Sequence, residues 1–175
     1  SPLTIAAGQT STTITIAMVE DALDEDNETV IVDLDVPTNA LPGATMKYTL
    51  TITDDDALPQ VSFSGSDGSA AEGTTPPGPN SIDYTYTLTL NAVSGRTVTV
   101  PILYTGTATM GTDYSGPASV SFPPNTTTAD LTITVNKDSD IEVNETIIMT
   151  IDGTNVVNAT AKTPLVRTHT INNDD

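Results

Sequence analysis

Apolar and polar residues alternate with a period of two in ten short segments, and no other feature of this sequence constrains its fold as tightly. The segments are 13–18, 29–36, 47–53, 60–64, 84–90, 97–104, 120–122, 131–135, 146–151 and 166–171. Each is rich in Thr, Val or Ile and ends at Gly, Pro, Asn or Asp, the pattern of half-buried strands and their turns. No stretch keeps the 3.6-residue period of a helix. Short strands at this spacing predict an all-β sandwich or barrel. Aromatics are only 4% of the chain and Trp is absent. The core must therefore come from Val, Ile, Leu, Thr methyls and a few tyrosines.

Charge narrows the functional classes. The 175 residues carry 23 acids against 5 bases, a net charge of −18. That surface repels nucleic acid and anionic membranes. Disorder is the usual correlate of such acidity, but charged residues are only 16% of the total and the acids are clustered. The absence of Cys excludes disulfides, thiolate chemistry and Cys-based zinc sites. A single His removes most triads and metal hydrolases. No run approaches 18 apolar residues, so no membrane insertion is expected. Ser1 opens the chain without the charged and apolar regions of a secretory leader, as a mature or excised fragment would.

The sequence also repeats itself. Asp21-x3-Glu25-x-Asn27-Glu28-Thr29 returns 117 residues later as Asp138-x3-Glu142-x-Asn144-Glu145-Thr146. Ile14-Thr15-Ile16 returns at the same offset as Leu131-Thr132-Ile133, and Asp54-Asp55-Asp56 returns 119 residues later as Asn173-Asp174-Asp175. A period near 120 residues is a whole domain. Residues 57–175 then form one complete copy, and residues 1–56 the later half of another. The linker Ala57-Leu58-Pro59 is short and stiffened by proline.

Strand counting places the acids. If successive strands run antiparallel, the segments carrying Glu72, Asp113, Asp138 to Glu145 and Asn173 to Asp175 meet at one pole. The opposite pole carries Ser94-Gly95-Arg96, Pro123-Pro124-Asn125 and Gly153-Thr154-Asn155, nearly free of acids. Carboxylates crowded in this way repel one another by several kcal/mol in total at an effective dielectric of about 20. A hard cation relieves that. Ca²⁺ takes about 6–8 oxygen ligands in irregular geometry, whereas Mg²⁺ demands a tight octahedron. The alternative is a solvated acidic cap.

Thr107-Ala108-Thr109-x-Gly111-x-Asp113-Tyr114, Val120-Ser121-Phe122, Asp138-x3-Glu142-x2-Glu145-Thr146 and Ile171-x2-Asp174-Asp175 follow one another in an order that resembles the Calx-β domain. Ala71-Glu72-Gly73 matches that family's early Glu-Gly. The resemblance covers residues 57–175 and, in residues 1–56, the later half of a second copy. It implies an immunoglobulin-like antiparallel β-sandwich, in tandem, with a Ca²⁺ cluster at one pole. Carried over by position, the metal ligands are Glu72, Asp113, Asp138, Glu142, Glu145, Asp174 and Asp175, with Asn173 and the Asp140 backbone as secondary candidates. Lys137 stands where the family often has another acid, and its ammonium could take the place of one ion. In the first copy Glu20 fills that position, beside Asp21, Glu25, Glu28, Asp54, Asp55 and Asp56.

Other readings of these residues are weaker. A Glu142/Glu145 glycosidase pair needs a concave pocket, usually with aromatic platforms, and this chain has no Trp; the chain is expected not to be an enzyme. His169 is expected to face solvent on its strand. The Asn-x-Thr sequons at Asn27, Asn125, Asn144 and Asn158 arise readily in a Thr-rich chain, and Thr74 to Pro79 reads as a mobile loop in preference to a Pro-motif ligand. The leading expectation is a calcium-binding structural repeat of a secreted, bacterial, adhesin-like surface protein, with neighbouring repeats and calcium ions as partners and its receptor unknown. The alternatives are a regulatory Ca²⁺ sensor, which titrates near micromolar calcium, and a glycan- or protein-binding module.

Overall fold

The computed structural model describes residues 3–73 and 80–174; Asp175 and the Pro-rich segment 74–79 lie outside the described residues. Twelve strands are formed among the described residues: β1 (Glu28–Asp33), β2 (Lys47–Ile52), β3 (Gln60–Phe63), β4 (Gly68–Ala71), β5 (Ser81–Leu90), β6 (Val98–Gly106), β7 (Tyr114–Ser115), β8 (Ser119–Phe122), β9 (Thr128–Asn136), β10 (Glu145–Ile151), β11 (Thr160–Ala161) and β12 (Val166–Asn172). β1 and β2 form an antiparallel hairpin. The other ten strands make two five-stranded sheets, ordered β4-β12-β10-β6-β8 and β11-β3-β5-β9-β7. Neighbours are antiparallel except at one edge of each sheet, where β4 runs parallel to β12 and β11 parallel to β3.

The two sheets share one core. Val61, Phe63, Tyr86, Leu88, Leu131, Ile133 and Val135 meet Val98, Val100, Phe122, Ile147, Met149 and Ile171 from the facing sheet. The period-two pattern of the sequence explains this directly, since residues i and i+2 point to the same face. Along β9 buried and partly exposed residues alternate, and Leu131, Ile133 and Val135 are its inward side chains. Among the described residues the buried hydrophobic cluster runs from Val61 to Ile171, so this sandwich supplies its own core.

Two expectations need correction. Segment 13–18 forms no strand. Its repeat counterpart is β9, which is held by pairing with β5 and β7. Residues 3–27 contain no corresponding partners, so the alternating pattern has nothing to pair with. Ile14, Ile16 and Met18 are 48%, 38% and 59% exposed, whereas their counterparts Leu131, Ile133 and Val135 are at most 1% exposed. His169 does not face solvent. It is 2% exposed and its Nδ1 lies 2.7 Å from the Tyr86 hydroxyl. It shares the inward face of β12 with Ile171, and the exposed Val166 is the residue that points outward. The repeat places Leu50, an apolar residue, at the same position of β2.

Candidate metal centre

The strand registers decide which loops meet. Ser81 pairs with Asn136, Gly106 with Ile147, Glu145 with Ile171 and Ala71 with Asn172. One pole of the sandwich therefore gathers Glu72, the 107–113 turn, the 137–144 loop and the chain after Asn172. Gly111 adopts a positive φ of 91° that lets this turn close. Its N–H donates to the Tyr114 carbonyl at 2.7 Å, and the Thr109 N–H donates to Asp113 Oδ2 at 2.5 Å. Asp113 is thereby aimed across at Glu145, which opens β10.

Carboxylates from these two loops act on one another. Partial desolvation raises the Glu145 carboxyl, followed by the charge and side-chain hydrogen bond of Asp113 and the charge of Glu142. Desolvation also raises Glu142, and then the charges of Asp138, Asp113 and Asp140. Asp138 Oδ1 accepts from the Asp140 N–H at 2.8 Å, and the Asp140 carbonyl accepts from Asn173 Nδ2 at 3.0 Å. On the adjoining side Asp174 Oδ1 accepts from the Gly73 N–H at 2.8 Å. The Glu72 N–H donates to the Asn172 carbonyl at 3.0 Å, and Glu72 is 4% exposed. Lys137 does lie at this pole: its Nζ is 3.5 Å from where a Cβ on Gly73 would sit. The structure thus joins Asp113, Asp138, Asp140, Glu142 and Glu145 electrostatically, with Glu72 and Asp174 beside Gly73.

The first copy repeats the arrangement. Desolvation raises Glu25, and then Asp21, Glu28, Asp54 and Asp56 press on it. Desolvation raises Asp56, and then Asp54, Asp55, Asp21 and Asp24 do so. Glu20 is exposed and is not among these carboxylates. One tie recurs in both copies and escaped the reading of the sequence, where these residues counted as members of the repeated motif and as sequons but not as a fastening. Asn27 Oδ1 accepts from the Asp54 N–H at 3.0 Å, and Asn144 Oδ1 accepts from the Asn173 N–H at 3.2 Å. Each Asn fastens its acidic loop to the acidic run that ends the copy. Its equal offset from Glu28 and Glu145 was the available signal.

A second feature had no sequence signal. The acidic turn of the first copy rests on the Ser94-Gly95-Arg96 loop at the other pole of the sandwich. Asp24 is 2% exposed there. Ser94 Oγ donates to Asp24 Oδ2 at 2.7 Å, and the Gly95 N–H donates to the Asp24 carbonyl at 2.9 Å. Arg96 donates through Nη2 to Asp24 Oδ1, through Nε to Asp24 Oδ2 at 3.3 Å, and through Nη1 to Asp26 Oδ1 at 3.3 Å. A cleft lined by Glu25, Asp54, Asp56, Leu58, Arg96 and Asn158 lies at this junction.

The donor set is all oxygen, which suits a hard cation and disfavours soft metals. Among the described residues no group of three or more His, Asp or Glu is already drawn together to hold a metal ion. The carboxylates converge without closing a shell.

Comparison with known proteins agrees with this architecture. Solved structures similar in fold include the apo-form Calx CBD1 domain, at 21% identity and a TM-score of 0.56, covering 68% of this chain and 100% of that one. CBD12 from CALX1.2 aligns at 21% identity and a TM-score of 0.55, covering 66% of this chain and 44% of that one. The calcium binding domain CBD12 of CALX1.1 aligns at 22% and 0.54, again covering 66% and 44%. The chain thus spans less than half the length of the two CBD12 structures. No curated protein matches the sequence. The family model for the Calx-β domain matches two segments, residues 2–56 and 83–175. With its two-sheet sandwich, its acidic pole and most of its length matched, the chain belongs to the Calx-β domain family.

Proposed function

We propose that the chain is a calcium-binding structural repeat of an exported surface array, with residues 57–175 as one complete domain and residues 1–56 as the later half of another. The observation that carries this reading is the convergence of oxygen donors from separate loops at one pole, where Thr109 holds Asp113 and Asn173 ties the 138–145 loop to the last acidic run, and its recurrence where Asn27 ties the Glu25 turn to Asp54. Glu72, Asp113, Asp138, Glu142, Glu145, Asp174 and Asp175 would hold the ion or ions of the complete domain, with Asn173 and the Asp140 carbonyl beside them. Asp21, Glu25, Glu28, Asp54, Asp55 and Asp56, with Glu20, would serve the first copy. Bound calcium supplies positive charge that cancels the repulsion. The chain's own groups orient the donors: Thr109 fixes Asp113, and Asn144 fixes the 173–174 run. Net charge of −18 and the lack of Cys suit a soluble exported array.

Calcium stiffening of the joint follows from the same placement, since Asp54 to Asp56 lead straight into Ala57-Leu58-Pro59. The second reading is a regulatory sensor, favoured by the fold shared with the calcium binding domain CBD12 of CALX1.1. Melting curves in EDTA, Ca²⁺ and Mg²⁺ test the proposal: stability should rise with Ca²⁺ more than with Mg²⁺. Identical curves in all three would refute it. A calorimetric midpoint near micromolar calcium would favour the sensor.

A further inference from the structure

The joint between the two copies is charged, and the same place in the second copy is apolar. Asp24 and Asp26 of the first copy engage Arg96. The residues 117 positions on are Ile141 and Val143. They flank Glu142 as Asp24 and Asp26 flank Glu25, in a turn fastened by the same Asn tie. Yet Ile141 is 86% exposed whereas its counterpart Asp24 is 2% exposed; Val143, at 80%, is exposed as its counterpart Asp26 is at 85% on the rim of the joint. Two large apolar side chains thus stand in solvent at the acidic pole, where the first copy docks its neighbour.

We propose that Ile141 and Val143 form an outgoing latch that seats the 94–96 loop of another Calx-β repeat joined in series, one carrying an apolar side chain where this chain has Arg96. The covered copy of the same turn, inside this chain, identifies the occupant. Its geometry also sets the partner's chemistry. Ser94 and Gly95 leave the turn close to the loop: a Cβ on Gly95 would lie 2.8 Å from Glu25 Cγ. Ser94, 2% exposed, must stay small, and a side chain at position 95 would have to displace that of Glu25. The third position must match residues 24 and 26 of the preceding copy. Arg96 placed on Ile141 would lose both carboxylate acceptors and leave its guanidinium unpaired. An aliphatic side chain would instead remove Ile141 from water, as Asp24 is removed, and touch Val143 at the rim as Arg96 touches Asp26. Successive joints of the array then differ in chemistry, which fixes which repeat follows which.

This inference rests on the array part of the proposed function and not on calcium. The test is a fusion in which the full chain is followed directly by a second copy of residues 57–175, the unit that holds its own buried core. Joining Asp175 to Ala57 reproduces the native Asp56–Ala57 spacing. Spin labels across the new joint report its distance distribution, in EDTA and in Ca²⁺. With Arg96 retained in the added unit, the distribution should be broad. Arg96→Leu in the added unit should narrow it. So should Ile141→Asp with Val143→Asp in the leading unit against a retained Arg96, which rebuilds the charged latch. Combining both sets of changes should broaden it again. The ratio of closed to open joints should differ at least about fivefold between matched and mismatched pairs, within the range of contact couplings. Equal widths in all four versions would overturn the proposal. Self-association of the unfused chain that Ile141→Asp abolishes would overturn it too, by naming a second copy in trans as the occupant. Matched narrowing in EDTA without any calcium response would retain the latch and sink the calcium reading, and the reverse pattern would do the opposite.

Discussion

Glu145→Gln should change stability in opposite directions with and without calcium. Glu145 opens β10, pairs in register with Ile171 and faces Asp113 and Glu142. Desolvation first, then those neighbours, hold its folded pKa above the ordinary value. A raised folded pKa means that the ionised carboxylate is disfavoured in the fold, so its contribution to stability is lost as pH rises through that pKa. At neutral pH without metal, Gln removes this penalty while keeping the shape of the side chain. The gain is small, because Glu145 is half-buried at the end of its strand and its repulsions are screened by solvent. Calcium at a hundredfold its dissociation constant stabilises the wild type by about 2.7 kcal/mol per independent site, or about 10 °C in Tm for a domain of this size. Gln supplies a weaker donor without charge, so most of that shift should vanish. Differential scanning calorimetry in EDTA and in Ca²⁺ reads both effects. Asp33→Ala is the control, since Asp33 is exposed and only 3.7 Å from Lys47 across the hairpin. A calcium shift of wild-type size in Glu145→Gln would refute the ligand assignment. A large loss of stability in EDTA would show that Glu145 holds the fold together and is not straining it.

The buried imidazole gives a pH prediction. Desolvation lowers the His169 pKa, so the unfolded chain binds the proton first and stability should fall as pH drops below about 6.5. Urea unfolding between pH 7 and pH 5 measures the slope. His169→Leu should flatten it, even though leaving the Tyr86 hydroxyl without its partner costs about 1–3 kcal/mol. Asn144→Ala removes no carboxylate, yet it frees the 173–174 run from the acidic loop. Calorimetric titration should show calcium affinity reduced about fivefold, equivalent to about 1 kcal/mol for the lost hydrogen bond.

Most of the sandwich was legible because alternation and burial are the same fact along a strand. Nine of the ten expected segments formed strands, from residues 29–36 in β1 to residues 166–171 in β12. The strands that the sequence hid are short edge elements. β4 (GSAA) and β11 pair parallel with distant segments, and β7 is two residues long. None has room to display a pattern. The acidic pole was legible for a different reason: antiparallel strands return to one end, so counting strands assigns each loop to a pole. Which carboxylates face one another was not legible. That depends on turn geometry such as the positive φ of Gly111 and the Thr109–Asp113 hydrogen bond.

The two failures share a cause that sharpens how alternation should be read. A period of two states that a segment has two unlike faces, but it gives neither the phase of those faces nor the existence of a partner. His169 was misplaced because Val166, an outward residue, set the phase; Ile171 and the repeat counterpart Leu50 set it correctly. Segment 13–18 has the right phase, since Ile14, Ile16 and Met18 correspond to the buried Leu131, Ile133 and Val135. What it lacks is a strand on either side, and an unpaired strand leaves its backbone N–H and C=O groups without partners. Comparing the two copies separates these cases, because one sequence pattern is seen once with its partners and once without. The same comparison exposes Ile141 and Val143, which are unremarkable as lone surface residues. They become informative only because Asp24 and Asp26 occupy the equivalent places in a filled joint.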